Sequence, residues 1–127
     1  MKLYIAGPWK YRDEVRAAAT LFKAASHTIT EEWWDHLDIT HNSSILPIDR
    51  EEMARQARAD WAGVWGADQL IFLNLAYSEG KCVELGMALA DKIPICAVGE
   101  PGMNAFHYLP EVVWVHTVEE AIERLRR

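Results

Sequence analysis

Between Gln69 and Val98 the chain runs from an apolar stretch, through a glycine-containing turn, into a helix and back to an apolar stretch. Gln69-Leu70-Ile71-Phe72-Leu73-Asn74-Leu75 reads as a buried strand and Ser78-Glu79-Gly80 as a turn. Gly80 to about Asp91 reads as a helix, and Ile93 to Val98 as the next strand. Two strands joined by one helix in so short a stretch lie parallel, and a parallel sheet needs helices on its faces.

The same alternation runs through the rest of the chain. Lys2 to Ala6 is a strand that stops at Gly7-Pro8. Asp13 to Ala25 carries Val15, Ala18, Ala19 and Phe22 at helical spacing, with acids in its first turn. His27 to Glu31 is β-branched enough for a strand, and the stretch from Trp33 to Pro47 has no sustained period and reads as a loop. A helix starts at Asp49, with Met53, Ala57, Trp61 and Val64 as its apolar positions. Gly99 to Leu109 is a second loop, Val112 to Val115 a last strand, and Val118 to Arg126 a terminal amphipathic helix. The expectation is one α/β domain over residues 1–127, a doubly wound, flavodoxin- or Rossmann-like parallel sheet of about five strands with helices on both faces. Strand order is open at this level.

Such a sheet collects its strand-to-helix turns on one edge, where ligands bind. That edge gathers Tyr4 to Lys10, the turn from Thr30 to Trp34, Leu75 to Glu84, and Gly99 to Asn104. A formal net charge of −6 disfavours a nucleic-acid polymer as partner, because phosphate neutralisation needs a basic stripe. A small anionic ligand is compatible, held by helix N–H groups and one or two cations. The two cysteines, Cys82 and Cys96, lack metal spacing and fit a reducing cytoplasm. No stretch approaches a membrane span, and no signal peptide precedes the first strand. Six tryptophans are many for 127 residues; Trp61 and Trp65, at i, i+4 spacing, read either as core-facing or as a self-complementary surface between copies, while the neighbours Trp33 and Trp34 are not both expected in one core.

Glu84 stands out, a lone acid between Val83 and Leu85 in the first turns of the helix that opens on this edge. It either complements the helix dipole or acts on a ligand. Taken singly, Tyr4 reads as a core aromatic with its hydroxyl at the rim, Asp60 as a surface acid and Asp68 as a turn residue. Ser78 is a helix cap or a phosphate ligand. His27, His36, His41, His107 and His116 are scattered and read as ordinary packed or solvated histidines, so no metal is expected. No nucleophile elbow, phosphate loop or three-glycine dinucleotide fingerprint occurs, and no cofactor is implied.

The segments LYIAGPW, ADWAGVWGADQLIFLNL and SEGKCVELGMALADKIPICAVG, in this order, resemble the nucleoside 2-deoxyribosyltransferase family. That family includes hydrolases cleaving the N-glycosidic bond of deoxynucleoside 5′-monophosphates. The resemblance implies that Glu84 is the nucleophile forming a 2-deoxyribosyl ester, that Tyr4 positions it, and that Asp60 contacts the leaving base and assists its protonation. It places Gly7 at the sugar and base, and Ser78 where many transferases carry an aspartate and the monophosphate hydrolases a serine. Lys10 or Lys81 would then offset a 5′-phosphate, and Trp9, Trp33 and Trp34 are candidates to stack on the base. Gly80 in the turn belongs to the same substrate-binding set. Asn104 matches a position from which some members reach a neighbouring subunit's site. The expected partners are a nucleoside or nucleotide and further copies of the chain, most simply a homodimer. A non-catalytic nucleotide-binding or signalling module on the same fold is the alternative, and a flavodoxin-like interaction domain with no ligand a third.

Overall fold

Residues 1–36 and 49–126 are described by a computed structural model. Five parallel strands form one sheet: β1 (Lys2–Ala6), β2 (Thr28–Ile29), β3 (Gln69–Leu73), β4 (Ile95–Val98) and β5 (Val112–Val115), in the order β2-β1-β3-β4-β5. This is the flavodoxin-like order, whose switch point lies between β1 and β3. The four helices are α1 (Arg12–Ala24), α2 (Arg50–Trp65), α3 (Glu79–Ala90) and α4 (Val118–Leu125). Helix α1 packs beside α4, and α2 beside α3, giving one helical layer on each face.

Burial explains why the central strands read as continuous apolar runs. Leu3, Tyr4, Ile5 and Ala6 of β1, Leu70, Ile71 and Phe72 of β3, and Cys96 and Ala97 of β4 are wholly buried. Helix α1 buries the four positions its spacing marks, Val15, Ala18, Ala19 and Phe22. Helix starts are capped by side chains: Asp49 accepts from the N–H of Glu52 at 3.0 Å, Thr117 from that of Glu120 at 3.1 Å, and Ser78 from that of Lys81 at 3.4 Å. Asp68 is a turn residue, as expected; its Oδ2 accepts from the N–H of Lys2 at 2.8 Å and ties β1 to the start of β3.

Several expectations are corrected. The second strand shrinks to Thr28–Ile29, because it pairs only with β1 and follows Ser26, whose φ is +73°. β3 ends at Leu73, and β4 starts at Ile95 rather than Ile93, after Lys92 at φ +57° and Pro94, which has no N–H to give the ladder. Trp33 and Trp34 are both buried, since a turn of 3-10 helix at Trp33–Asp35 sends the two rings into the protein at 73° to each other. Trp33 Nε1–H donates to the Ile5 carbonyl at 2.6 Å, which satisfies its one polar atom. Helix α2 departs furthest from its pattern. Only Gly63 and Val64 are buried, while Met53, Ala57, Trp61 and Trp65 face outward, the last two at 57% and 71% exposure.

Gly63 explains how α2 approaches the sheet. A Cβ there would stand 2.8 Å from the Glu31 Cβ and 3.0 Å from the Tyr4 ring. A Gly63→Ala variant is therefore expected to lose about 1–3 kcal/mol in urea unfolding through overpacking. Gly86→Ala on α3, where a Cβ meets nothing within 4 Å, is expected to gain about 0.5–1 kcal/mol from helix propensity, making it the control.

Candidate active site

A cleft of about 560 Å³ opens at the switch point between β1 and β3. Its size falls within the range of about 300–1,000 Å³ common for small-molecule sites. One wall is the turn after β1, Gly7 to Lys10; another is the start of α3, Tyr77 to Lys81, with Glu84; a third is α2, through Met53, Gln56 and Asp60. Trp33 completes the lining.

Tyr4 and Glu84 meet here. Tyr4 ends a wholly buried ring at a hydroxyl that donates to Glu84 Oε2, joining β1 to the second turn of α3. Burial pushes Glu84 up from 4.5 to about 8; the Tyr4 hydrogen bond pulls the other way, and the charge of Asp60 adds to the rise. Burial, and then the charges of Glu84 and Asp60, hold the Tyr4 phenol well above its ordinary value, so it stays a donor. Asp60 is raised to about 6, first by burial; His36 opposes the rise and Glu31 adds to it. Its Oδ1 is buried with no hydrogen-bond partner among the described residues. Two proton-binding carboxyls and a fixed phenol thus converge on one cleft.

The other expected residues divide. Gly7, Trp9, Lys10, Ser78 and Gly80 line the cleft. A Cβ on Gly7 would meet Val15 at 2.7 Å, so the turn packs against α1 without room for a side chain. Trp9 lies 6.3 Å from Trp33, ring to ring, with the Arg12 guanidinium 4.8 Å above it. Trp34 does not reach the cleft. Lys10 is exposed at the rim, but Lys81 is corrected as a free cation: 2% exposed, it donates to Asn74 Oδ1 at 2.6 Å and sits 4.4 Å from the Phe72 ring centre. Burial lowers its proton affinity. Asn104 lies outside the cleft of its own chain; its Oδ1 accepts from the Phe106 N–H at 2.9 Å, and its Nδ2 lies 3.9 Å from Cys82 Sγ. The stretch 37–47 of the expected loop, His41 included, lies outside the described residues.

Three residues near the site escaped the sequence reading. Gln56 lines the cleft one helical turn before Asp60, and that i, i+4 spacing was the available signal. His36 is packed rather than solvated, 17% exposed at its side chain. Its Nε2 lies 2.6 Å from Glu31 Oε1, and donor atoms of Glu31, His36 and Asp60 all lie within 4.8 Å of one another. The Glu31–His36 hydrogen bond closes this group on itself. Nothing in the spacing of 31, 36 and 60 announced it. His107 is buried, accepting from the Gly102 N–H at 2.9 Å and packing on Phe72 and Trp114, while His27 meets the N-terminal amine and His116 is exposed.

No protein-family model and no curated protein matches the sequence. Solved structures do. A 2-deoxyribosyltransferase of the psychrotolerant bacterium Bacillus psychrosaccharolyticus superposes with a TM-score of 0.66 at 16% identity, over 96% of this chain and 90% of that one. A conserved protein of Enterococcus faecalis V583 gives 0.64 at 19% identity, over 99% and 97%. A CMP N-glycosidase of Clostridium botulinum gives 0.58 at 13% identity, over 99% and 98%. The chain shares its fold with these proteins along nearly its whole length, which is the fold that the sequence resemblance implies. Among the described residues, no helix is long and apolar enough to cross a membrane.

Glu84 carries a consequence for stability. Between 4.5 and about 8 the folded protein keeps a proton that the unfolded chain releases, so this group lowers stability progressively as pH rises through that window. A Glu84→Gln variant keeps an acceptor for Tyr4 and removes the effect. It is expected to match the parent in urea unfolding near pH 4 and to exceed it above pH 8, by on the order of a few kcal/mol.

Proposed function

We propose that the chain cleaves the N-glycosidic bond of 2′-deoxyribonucleosides or their 5′-monophosphates, passing the deoxyribose to water or to another base. The observation that carries this reading is the Tyr4 hydroxyl bonded to Glu84 in a cleft that also holds Asp60. Two of the structural neighbours, a 2-deoxyribosyltransferase and a CMP N-glycosidase, support the same chemistry.

In this reading Glu84 attacks the anomeric carbon as the bond from that carbon to the base nitrogen breaks. The bonding pair leaves with the base, and Asp60 supplies the proton that neutralises it. The transition state is oxocarbenium-like, so positive charge develops beside a carboxylate that burial has left poorly solvated. That charge is the partner the ionised Glu84 lacks in the free protein. Tyr4 holds the attacking oxygen's neighbour in place. Water or a second base then attacks the same carbon and releases Glu84, and Asp60 recovers its proton from that water or from the ring N–H of the incoming base.

A 5′-phosphate fits the Ser78 end of α3. The helix start offers N–H groups and a positive dipole end, Ser78 keeps its own O–H to donate, and Lys10 stands at the rim. Lys81, held by Asn74, contributes charge only from below. Trp9 and Trp33 offer ring faces, and Gln56 an amide, to the base.

The test is release of free base from a panel of nucleosides and 5′-monophosphates, with and without a second acceptor base, read by chromatography. Glu84→Gln is expected to lose activity by on the order of a thousandfold or more. At pH 7 about a tenth of Glu84 is ionised and about a tenth of Asp60 protonated, so kcat/KM is expected to be flat between about pH 6 and pH 8 and to fall on both sides. No free base from any substrate would instead assign a binding module.

The outward pair Trp61 and Trp65 on α2 supports self-association as a two-fold dimer. Asn104, outside its own cleft, is then the group a second copy contributes. Sedimentation at micromolar concentration is expected to give twice the chain mass, and Trp61→Glu with Trp65→Glu the monomer mass. A monomeric parent with full activity would remove both the dimer and the role of Asn104.

A further inference from the structure

Glu31 and His36 belong to none of the roles above, and neither lines the cleft. Glu31 follows β2, and His36 ends the 3-10 turn that buries Trp33 and Trp34. Their side chains, 27% and 17% exposed, share a 2.6 Å hydrogen bond, and Asp60 approaches both to within 4.8 Å. Of the three, only Asp60 reaches the cleft wall. Solvent thus touches the pair behind Asp60, while Asp60 itself lines the cleft.

A carboxylate and an imidazole at that distance act on Asp60 with opposite signs. The negative Glu31 makes a second negative charge at Asp60 unfavourable, and an imidazolium at His36 makes it favourable. We propose that Glu31 and His36 are positioning residues for Asp60, a hydrogen-bonded pair behind the cleft that sets the pH at which Asp60 takes up and gives up its proton. The inference rests on the proposed reaction only for its catalytic meaning; the coupling itself is a property of the folded chain.

Among the described residues, the other titratable groups facing Asp60 are Glu84 on α3 and Tyr4 on β1, and both stay unchanged in the test. Carbon-13 labelling of aspartate carboxyls, with Asp60→Asn to assign the signal, gives the Asp60 titration by NMR. In His36→Gln only the Glu31 charge remains beside it, and the Asp60 midpoint is expected to rise by about one pH unit or more. In the double variant Glu31→Gln, His36→Gln that charge is gone too, and the midpoint is expected to fall back below that of His36→Gln. Should His36→Gln fail to fold, Glu31→Gln against the double variant carries the same sign, because it again removes the imidazole alone.

A second readout ties the pair to the reaction. The acid limb of kcat/KM is expected to follow the Asp60 midpoint upward in His36→Gln, for a substrate whose base needs a proton to leave. An electron-poor pyrimidine that departs as a stabilised anion is expected to show no such movement. An Asp60 midpoint that stays in place in His36→Gln, or that does not return in the double variant, would overturn the proposal. A midpoint that moves as expected in a protein that releases no base would leave the pairing standing and remove the proposed reaction.

Discussion

The Tyr4–Glu84 hydrogen bond is the contact on which the cleft depends. It joins residues 80 apart in sequence across the switch point of the sheet, linking the central strand β1 to the helix that follows its neighbour β3. Bringing the two groups together required two further local choices. Gly63 lets α2 lie against the Tyr4 ring, and Gly7 ends β1 where a side chain would run into Val15. With those two positions bare, Tyr4 is sealed on its ring and open only at its oxygen, and Glu84 is the group it meets.

Burial and charge oppose each other throughout this site. Glu84 and Asp60 are pushed toward their neutral forms by desolvation, and neither has a cation bonded to it among the described residues. The nearest buried ammonium, Lys81, is engaged by Asn74 and the Phe72 ring. With no bonded counterion among the described residues, both acids hold their protons more tightly than exposed carboxyls do. The Glu31–His36 pair modulates this from outside, where solvent reaches it. Lys81 does not fit so simply. A lysine that is 2% exposed, with one amide oxygen as its hydrogen-bonding partner among the described residues, holds its proton less tightly than an exposed one.

Some of this was written in local pattern. The buried strands β1, β3 and β4 showed as unbroken apolar runs because both faces of a parallel sheet are covered, and α1 showed its four buried positions because it presents one stripe to the sheet. Helix α2 misled for a related reason. Its tryptophans recur at helical spacing, which reports a shared face but not whether that face turns inward or out; in the fold it turns out. Trp33 and Trp34 misled because alternation of neighbours applies to strands, whereas a tight 3-10 turn sends both inward. Glu84 stood out as an acid between apolar residues near a helix start after a buried strand, a spacing equally open to complementing the helix dipole and to acting on a ligand; its burial and its bond to Tyr4 came only with the fold.

The sequence by itself determined the alternation of strands and helices, and with it the edge on which the strand-to-helix turns and Glu84 gather. These follow from period, turn chemistry and helix polarity, all of which act within a few residues. Tertiary structure alone decided the strand order, the meeting of Tyr4 with Glu84, the engagement of Lys81 by Asn74 in the cleft wall, and the grouping of Glu31 and His36 behind Asp60. Each of these joins residues from different elements through distance and desolvation. Neither quantity exists along the chain until the sheet has brought its elements side by side.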